Sequence, residues 1–128
     1  MTNSQDDCVF CNMAPDRIVT QNEYAYAIRD GFPVTNLHSL IVPKRHVDEY
    51  FGLNKAELLG CDSLLHAVRA EILTIDPTVK GFNIGVNSGM VAGQTIFHCH
   101  IHLIPRRAGD VANPRGGVRH VIPGKGNY

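Results

Sequence analysis

Residues 37–42 are mostly apolar and β-branched, and in three other stretches, 24–30, 81–87 and 97–104, large apolar residues alternate with small or polar ones. Such a period of two is typical of β-strands that bury one face. The predicted strands span residues 17–22, 24–30, 37–42, 81–87 and 97–104. The first two follow each other closely enough to be joined by a tight turn, and Asp30-Gly31-Phe32-Pro33 forms a second turn after them.

Residues 54–73 have instead the 3.6-residue period of an amphipathic helix. Asn54, followed three residues later by Glu57, is the pattern of a capping box and predicts where the helix begins. Asp76-Pro77 ends the segment because proline cannot continue a helix. His66 lies within the helix and is assigned no catalytic task. The apolar positions of its predicted inner face are Leu58, Leu59, Leu65, Val68, Ile72 and Leu73.

The last predicted strand carries three histidines in strict alternation, His98, His100 and His102. At about 3.3 Å per residue, neighbouring members are roughly 6.6 Å apart and the outer two roughly 13 Å apart. All three can therefore hardly share one small metal ion. At least one imidazole is free to act as a base, an acid or a nucleophile near neutral pH. A lone histidine on an apolar face is usually structural, but three in alternation favour a functional site.

A turn with anion-binding potential precedes these histidines. Gly93-Gln94-Thr95 combines a glycine, which permits a tight turn, with an amide and a hydroxyl side chain. Together with backbone N–H groups, these side chains are suited to bind an anion beside the imidazoles. We expect that anion to be a phosphate.

Cys8 and Cys11 have the spacing of one half of a tetrahedral metal site, which needs two further ligands from elsewhere. A thioredoxin-like redox pair is the alternative. That motif follows a strand and opens a helix, whereas only residues 1–7, a polar stretch that we expect to be flexible, precede Cys8. Cys61 and Cys99 lie among apolar residues and are expected to be buried thiols.

The size and charge of the chain exclude several function classes. At 128 residues it fits one domain, so a larger assembly requires oligomerisation. Twelve basic residues balance twelve acidic ones, which argues against a nucleic-acid or membrane-surface binder. No stretch approaches the roughly 20 apolar residues of a membrane span, and residues 1–7 do not resemble a secretory signal. We therefore expect a soluble, cytoplasmic protein without disulfides.

These motifs together resemble a known family. Gly93-Gln94-Thr95, then His-x-His-x-His and two apolar residues, is similar to the signature of the histidine triad superfamily of nucleotide hydrolases and transferases. The likeness extends from Cys8 to about Arg107. It implies an α+β fold with a five-stranded antiparallel sheet, one long helix and a short one. It also implies a homodimer whose subunits form one continuous ten-stranded sheet.

The resemblance assigns roles to individual residues. His100 would attack the α-phosphorus and form a nucleotidyl-histidine that water then hydrolyses. His102 would stabilise the charge that develops on the phosphate oxygens, and His38 would have a supporting role in the active site. One branch of the family completes a structural zinc site with four residues, here Cys8, Cys11, His46 and His98. Substrate contacts are expected from Phe10, Ile28, Asp30, Asn87, Gly93, Gln94 and Thr95.

Several assignments have simple structural alternatives. Asp30 either binds the ribose hydroxyls or only initiates its turn, and Asn87 either contacts the phosphate or sugar or only forms a turn. His38 is either an active-site residue or a satisfied core histidine. The Lys44-Arg45 pair is expected to point to solvent. Strand 81–87 lacks the Lys or Pro that protects a free sheet edge, so we expect it, with helix 54–73, at the dimer interface.

The stretch Pro105-Arg106-Arg107-Ala108-Gly109-Asp110 resembles the fragile-histidine-triad branch and favours dinucleoside polyphosphates such as diadenosine tetraphosphate. Magnesium carried on the substrate is compatible with this chemistry. Alternatives are an adenosine phosphoramidate hydrolase or nucleotidyltransferase, a non-catalytic purine-nucleotide-binding module, and a metalloenzyme with an open zinc position. The Gly- and Pro-rich tail, residues 108–128, is expected to lie across the body or a partner subunit, where Arg115 or Arg119 touches a leaving group.

Overall fold

A five-stranded antiparallel sheet forms the framework of the computed structural model, which describes residues 6–128. The strands are β1 (Ile18–Gln21), β2 (Ala25–Arg29), β3 (Ser39–Pro43), β4 (Val79–Gly85) and β5 (Ile101–Arg107). Their order in the sheet is β1-β2-β3-β5-β4. The predicted α+β class and antiparallel sheet are confirmed. Of the predicted flexible end, residues 1–5 lie outside the described part of the chain.

One long helix, α1 (Lys55–Ile75), packs against the sheet, and its predicted start is confirmed. The Asn54 side chain accepts a hydrogen bond from the Glu57 N–H at 2.8 Å, and Glu57 accepts one from the Asn54 N–H at 2.9 Å. The inner face differs from the prediction at Leu59, which is exposed. Leu59 falls outside the three- and four-residue steps that connect the buried positions. Those positions are Glu57, Gly60, Cys61, Leu64, Val68 and Ile72.

The predicted second, short helix is not found as an α-helix within residues 6–128. Four short 3₁₀ turns occur instead, at Pro15–Arg17, Tyr50–Gly52, Met90–Ala92 and Gly117–Val121. Three of them begin with, or directly follow, a proline or a glycine. Such short segments favour the tighter 3₁₀ geometry over a full α-helix.

The two faces of the sheet have different coverings. On one face α1 packs over Ala27, Ile41 and Leu103. On the other face the segment that contains Cys8 and Phe10 packs against residues of β2 and β3. Together they form a second apolar cluster, which comprises Cys8, Phe10, Tyr26, Ile28, Leu40 and Val42. The Tyr26 hydroxyl donates a 2.5 Å hydrogen bond to the Phe10 carbonyl and so fastens this segment to β2.

β4 forms one edge of the sheet. Its Ile84 is 53% exposed, and an apolar groove of about 250 Å³ lies between β4 and α1, lined by Leu58, Leu65 and Val86 among others. The strand begins at Val79, so it includes Lys80, and the prediction that this edge lacks a protecting Lys is wrong at its start. The part from Gly81 to Gly85 has none. In the part of the chain described here, no helix is both long and apolar enough to cross a membrane.

Candidate active site and metal centre

The three alternating histidines do not lie in one strand, as the sequence predicted. β5 begins only at Ile101, so His98 and His100 belong to the irregular segment that precedes it. The cause is visible at Cys99, whose N–H donates to the Val47 carbonyl at 2.8 Å and is therefore not available to a ladder with β3. The first histidine consequently serves a different site from the other two.

The ring of His100 is held in one tautomer by the backbone. Its Nδ1 lies 2.8 Å from the carbonyl oxygen of His98, and a carbonyl can only accept. Nδ1 therefore carries the proton, and Nε2 keeps a free lone pair. Phe10 packs against the ring with 5.0 Å between centroids. His100 is thus an oriented imidazole, and Nε2 is the nitrogen left free to act as a nucleophile.

His38 and His102 form a second oriented pair. The Val34 N–H donates to His38 Nδ1 at 3.1 Å, so the His38 proton is on Nε2. That Nε2 lies 2.9 Å from His102 Nδ1, which must accept and leaves the His102 proton on its own Nε2. Asp30 Oδ2 lies 3.4 Å from His38 Nε2. The result is a directed chain of donors that ends at His102 beside His100, whose ring centroid is 5.4 Å away.

Burial keeps both rings of this pair neutral. Loss of solvation lowers the pKa of His38 below its ordinary value, and the nearby Asp30 carboxylate offsets part of that effect. Burial also lowers the pKa of His102, and the neighbouring His100 and His38 lower it further. Near neutral pH the pair is therefore uncharged, as its hydrogen-bond pattern requires.

A cavity of about 320 Å³ opens in front of these rings. Among the predicted substrate contacts, all except Gln94 line it, namely Phe10, Ile28, Asp30, Asn87, Gly93 and Thr95. Sequence reasoning missed other parts of the wall, namely Val9, Met13, Arg17, Gly31, Phe32, Leu40 and Ile96. No motif marks these residues, although Leu40 and Met13 follow from the packing of the second apolar cluster. The cavity thus joins an apolar wall to a polar end that contains His100 and His102.

Gln94 lies behind the pocket wall, which corrects the prediction that its amide contacts a phosphate. The residue is buried, and its Oε1 accepts from the Gly89 N–H at 2.9 Å. Its Nε2 donates to the carbonyls of Asp48 at 2.6 Å and Ile96 at 3.0 Å. Gly89 and Gly93, with φ of +96° and +97°, supply the left-handed backbone that this loop needs. Gln94 therefore positions the loop, and Thr95 and the loop backbone are left to face a ligand.

The four predicted metal ligands come together. The distances are 3.2 Å from Cys11 Sγ to His46 Nδ1, 3.3 Å from Cys8 Sγ to His98 Nδ1, and 3.2 Å between the two Nδ1 atoms. Tetrahedral zinc with Zn–N near 2.0–2.1 Å and Zn–S near 2.3 Å requires ligand separations of roughly 3.3–3.8 Å. The cluster Cys8, Cys11, His46 and His98 therefore fits a zinc ion with little adjustment.

The proton positions in this cluster also suit a metal. His98 Nε2 donates to the Pro43 carbonyl at 2.8 Å, so its Nδ1 is unprotonated and can bind a cation. Burial and the neighbouring Cys8 raise the pKa of Cys11 to about 11. A thiol with so high a pKa ionises readily only when a positive charge lies beside it. Two sulfurs and two nitrogens make a closed ligand set, which is typical of structural zinc.

Magnesium has no comparable site among residues 6–128. The second group of possible metal ligands there is Asp30, His38 and His102, which offers one carboxylate and two imidazoles. Magnesium prefers oxygen ligands in octahedral geometry. The suggestion of magnesium therefore has no support from the protein side chains.

The fold and the paired histidine sites define a nucleotide-binding protein of the histidine triad class. The chain belongs to the HIT domain family, which matches residues 12–109. Cys8 and Cys11 lie just before the matched part, and the tail from residue 110 onward lies after it. Members of this family act as nucleotide hydrolases and transferases, and this coarse activity applies to the present chain.

Similar proteins support the assignment. A HIT-like protein of Mycoplasma genitalium is 32% identical over 109 residues, which cover 81% of this chain and 76% of that protein. An adenylylsulfatase of Arabidopsis thaliana is 34% identical over 110 residues, which cover 83% of this chain and 55% of the plant protein. The crystal structure of a zinc-bound histidine triad family protein from Mycobacterium smegmatis superposes with a TM-score of 0.76 at 30% identity, covering 86% and 82% of the two chains.

Proposed function

We propose that the protein hydrolyses dinucleoside polyphosphates, of which diadenosine tetraphosphate is the type, at the α-phosphorus through a nucleotidyl intermediate on His100. The observation that carries the proposal is the complementary protonation of two adjacent rings. His100 has a free Nε2, while His102 has a protonated one. A nucleophile thus stands beside a hydrogen-bond donor that can stabilise negative charge on phosphate oxygens.

The proposed reaction has two steps. In the first, the lone pair of His100 Nε2 forms a bond to the α-phosphorus, and the bond from that phosphorus to the bridging oxygen breaks. The electron pair leaves with the second nucleotide. In the second step, water attacks the same phosphorus, its proton is released, and the bond to Nε2 breaks. The nucleoside monophosphate departs and His100 returns to its neutral form.

The rest of the pocket divides the substrate between apolar and polar contacts. Phe10 and Ile28 belong to the apolar wall, which suits a purine ring. Asp30 lies at the polar end, where its Oδ1 also accepts from the Phe32 N–H at 2.8 Å. Asp30 therefore stabilises its turn with one oxygen while the other stays close to the pocket. Turn formation and binding of the ribose hydroxyls are thus compatible roles. Asn87 and Thr95 are assigned to the phosphate and sugar.

A structural zinc ion is part of the proposal. Cys8, Cys11, His46 and His98 would hold one ion per chain and tie the segment over β2 and β3 to the residues before β5. The ion takes no part in the reaction, because all four ligand positions are filled by protein. Any magnesium would arrive with the polyphosphate chain of the substrate.

The quaternary state and location extend this proposal. We infer a homodimer in which β4 and α1 meet their copies about a two-fold axis and continue the sheet. The exposed Ile84 and the apolar groove beside it support that arrangement. We also infer a cytoplasmic location, since all four cysteines are free, as is usual in a reducing compartment.

Rapid-quench kinetics with labelled diadenosine tetraphosphate tests the reaction directly. We expect an acid-labile nucleotide bound to His100 that forms and decays at rates consistent with turnover, and that is absent from His100→Asn. Tight binding without turnover would instead identify a nucleotide-binding module. Because one relative is an adenylylsulfatase, the same assay should include adenosine phosphosulfate and an adenosine phosphoramidate as alternative substrates.

A further inference from the structure

The tail after β5 folds into a small closed structure of its own, whereas the sequence predicted only that it lies across the body or a partner subunit. His120 packs against Gly126, and its Nε2 donates to the Arg115 carbonyl at 2.9 Å. Arg119 Nε donates to the Lys125 carbonyl, also at 2.9 Å. Gly126 lacks a Cβ, which would collide with the His120 ring. These contacts fix the 3₁₀ turn Gly117–Val121 and the residues that follow it.

This closed tail is anchored on the same sheet face as the reactive histidines. On β5, His102 and Arg106 point away from α1, because Ile101, Leu103 and Pro105 are the buried positions. Arg106 binds Asp110 through two hydrogen bonds of 2.8 and 2.9 Å and binds the Asn83 side chain at 2.7 Å. Gly117 lies directly over that same Asn83 side chain. Arg106 is four positions beyond His102, roughly 13 Å along the strand.

The tail carries a local excess of positive charge. Residues 111–128 contain Arg115, Arg119 and Lys125 and no acidic residue. The whole chain has 12 basic and 12 acidic residues, so residues 1–110 have 12 − 3 = 9 basic against 12 acidic, a net charge of −3. The positive charge is therefore concentrated on the part of the chain that the family match does not include.

Two of these cations share one aromatic ring. The guanidinium carbons of Arg115 and Arg119 lie 4.9 and 4.5 Å from the centre of the Tyr128 ring. Within residues 6–128, neither arginine takes part in an ion pair. Stacking on a ring restricts a guanidinium while its terminal N–H groups can still donate, and such forks match phosphate oxygens.

We propose that Arg115 and Arg119, held by Tyr128, form a subsite for the distal phosphates of the leaving group. The inference rests on the proposed function, because it assumes that the α-phosphate lies at His100. A dinucleoside polyphosphate has a leaving group with several phosphates, which can extend along the sheet face from His102 toward Arg106. A phosphoramidate or phosphosulfate leaving group is too short to do so. The tail therefore selects for length and charge of the leaving group.

Two measurements on the full chain test this subsite. The first is calorimetric binding of inorganic tripolyphosphate to wild type, to Arg115→Gln/Arg119→Gln and to the control Arg69→Gln. Arg69 is an exposed arginine of α1, on the opposite side of the sheet. We expect the double variant to lose about tenfold or more in affinity, and the control to lose less than about twofold. Equal affinity in all three proteins would overturn the proposal.

The second measurement is kcat/KM for diadenosine tetraphosphate and for an adenosine phosphoramidate. The double variant should lose about tenfold or more on the tetraphosphate and less than about twofold on the phosphoramidate. An equal loss on both substrates would contradict a leaving-group subsite. If wild type cleaves neither substrate, the proposed function fails, while tripolyphosphate binding still decides whether the arginines form a phosphate site.

Two controls keep the test decisive. Light scattering of the double variant should show an unchanged mass, since a halved mass would assign the arginines to contact with a second copy and overturn the proposal. If the glutamine pair lowers the melting temperature, Arg115→Lys/Arg119→Lys replaces it. Lysine keeps the charge and loses the bidentate fork, so a loss of about threefold or more in tripolyphosphate affinity is still expected.

Discussion

His100 Nδ1 lies 2.8 Å from the carbonyl oxygen of His98, a residue whose side chain belongs to the metal centre. The same short stretch of chain therefore supplies a metal ligand with its side chain and orients the proposed nucleophile with its backbone. Since the carbonyl can only accept, this contact decides which nitrogen of His100 is free.

Replacing the proposed nucleophile should separate binding from turnover. We expect His100→Asn to lower kcat by at least about a thousandfold, because it removes the free ring nitrogen that forms the covalent intermediate. Nucleotide affinity should stay within about tenfold, or roughly 1.4 kcal/mol. His66→Asn, at an exposed position of α1, is the matched control and should retain the wild-type rate. A His100→Asn protein with most of its activity would rule out nucleophilic catalysis by this residue.

The neutral pair His38–His102 predicts the pH dependence of activity. Burial lowers both pKa values from the ordinary 6.5, so both rings stay neutral at and above that pH. We expect kcat/KM to be independent of pH near neutrality and to fall only in an acidic limb below pH 6.5. Activity falls on the acidic side because a proton on His102 Nδ1 would remove the acceptor of the His38 hydrogen bond.

Asp30→Asn tests the cause of that limb. The Asp30 carboxylate raises both pKa values, so its removal should move the acidic limb to still lower pH, whatever happens to KM. The same depressed pKa values make folding stability fall as pH drops below 6.5, because the unfolded chain then binds protons that the folded protein does not. A limb above pH 6.5, or an upward shift in Asp30→Asn, would contradict this account.

Zinc content can be tested with two matched histidine variants. We expect about one zinc per chain in wild type and in His66→Gln, whose ring is exposed. His46→Gln should lose most of the metal, because it removes one of four ligands. Its melting temperature should fall, since metal binding is coupled to folding of the residues that supply the ligands. Metal analysis of protein purified without added zinc gives the answer, and a zinc-free wild type would refute the site.

The dimer prediction also has a matched pair of substitutions. Ile84 on β4 and Ile75 at the end of α1 are similarly exposed, at 53% and 55%. Ile84→Glu places a charge on the proposed interface, while Ile75→Glu lies about 15 Å along the helix from the groove residue Leu65. Light scattering should give about twice the chain mass of 14.1 kDa for wild type and Ile75→Glu, and a monomer for Ile84→Glu. A monomeric wild type with full activity would refute the shared sheet.

Local patterns were sufficient to predict much of the fold and of the metal centre. The capping box of Asn54 and Glu57 depends on neighbouring residues only, and it was predicted correctly. The cysteine pair and the two histidines were identified because ligand spacing and family resemblance agree. The periodicity of the sequence correctly predicted that the strands exist, but it did not predict the residue at which β5 begins. A strand begins where its ladder partner is available, and the Cys99–Val47 contact that competes for the backbone is long-range.

Side-chain contacts between residues far apart in the chain could not be predicted from the sequence. Arg45 is exposed, as expected, but the sequence did not reveal that it also binds the buried Glu57 carboxylate at 2.7 and 2.8 Å. The same carboxylate caps α1, so one side chain serves two elements that no spacing rule connects. Gln94 was assigned to the substrate because of its motif, yet its amide is used by three backbone groups. Motif position identifies the loop correctly and does not reveal which of its side chains face inward.

The hydrogen bond from His98 Nε2 to the Pro43 carbonyl has an evolutionary consequence. His98 is constrained by two independent demands, the metal on one ring nitrogen and β3 on the other. A descendant that lost Cys8 or Cys11 would still need a ring donor at this position to hold the backbone that orients His100. We therefore expect the cysteines to be replaced more readily than the histidine, so that a triad of histidines persists in lineages that have abandoned zinc.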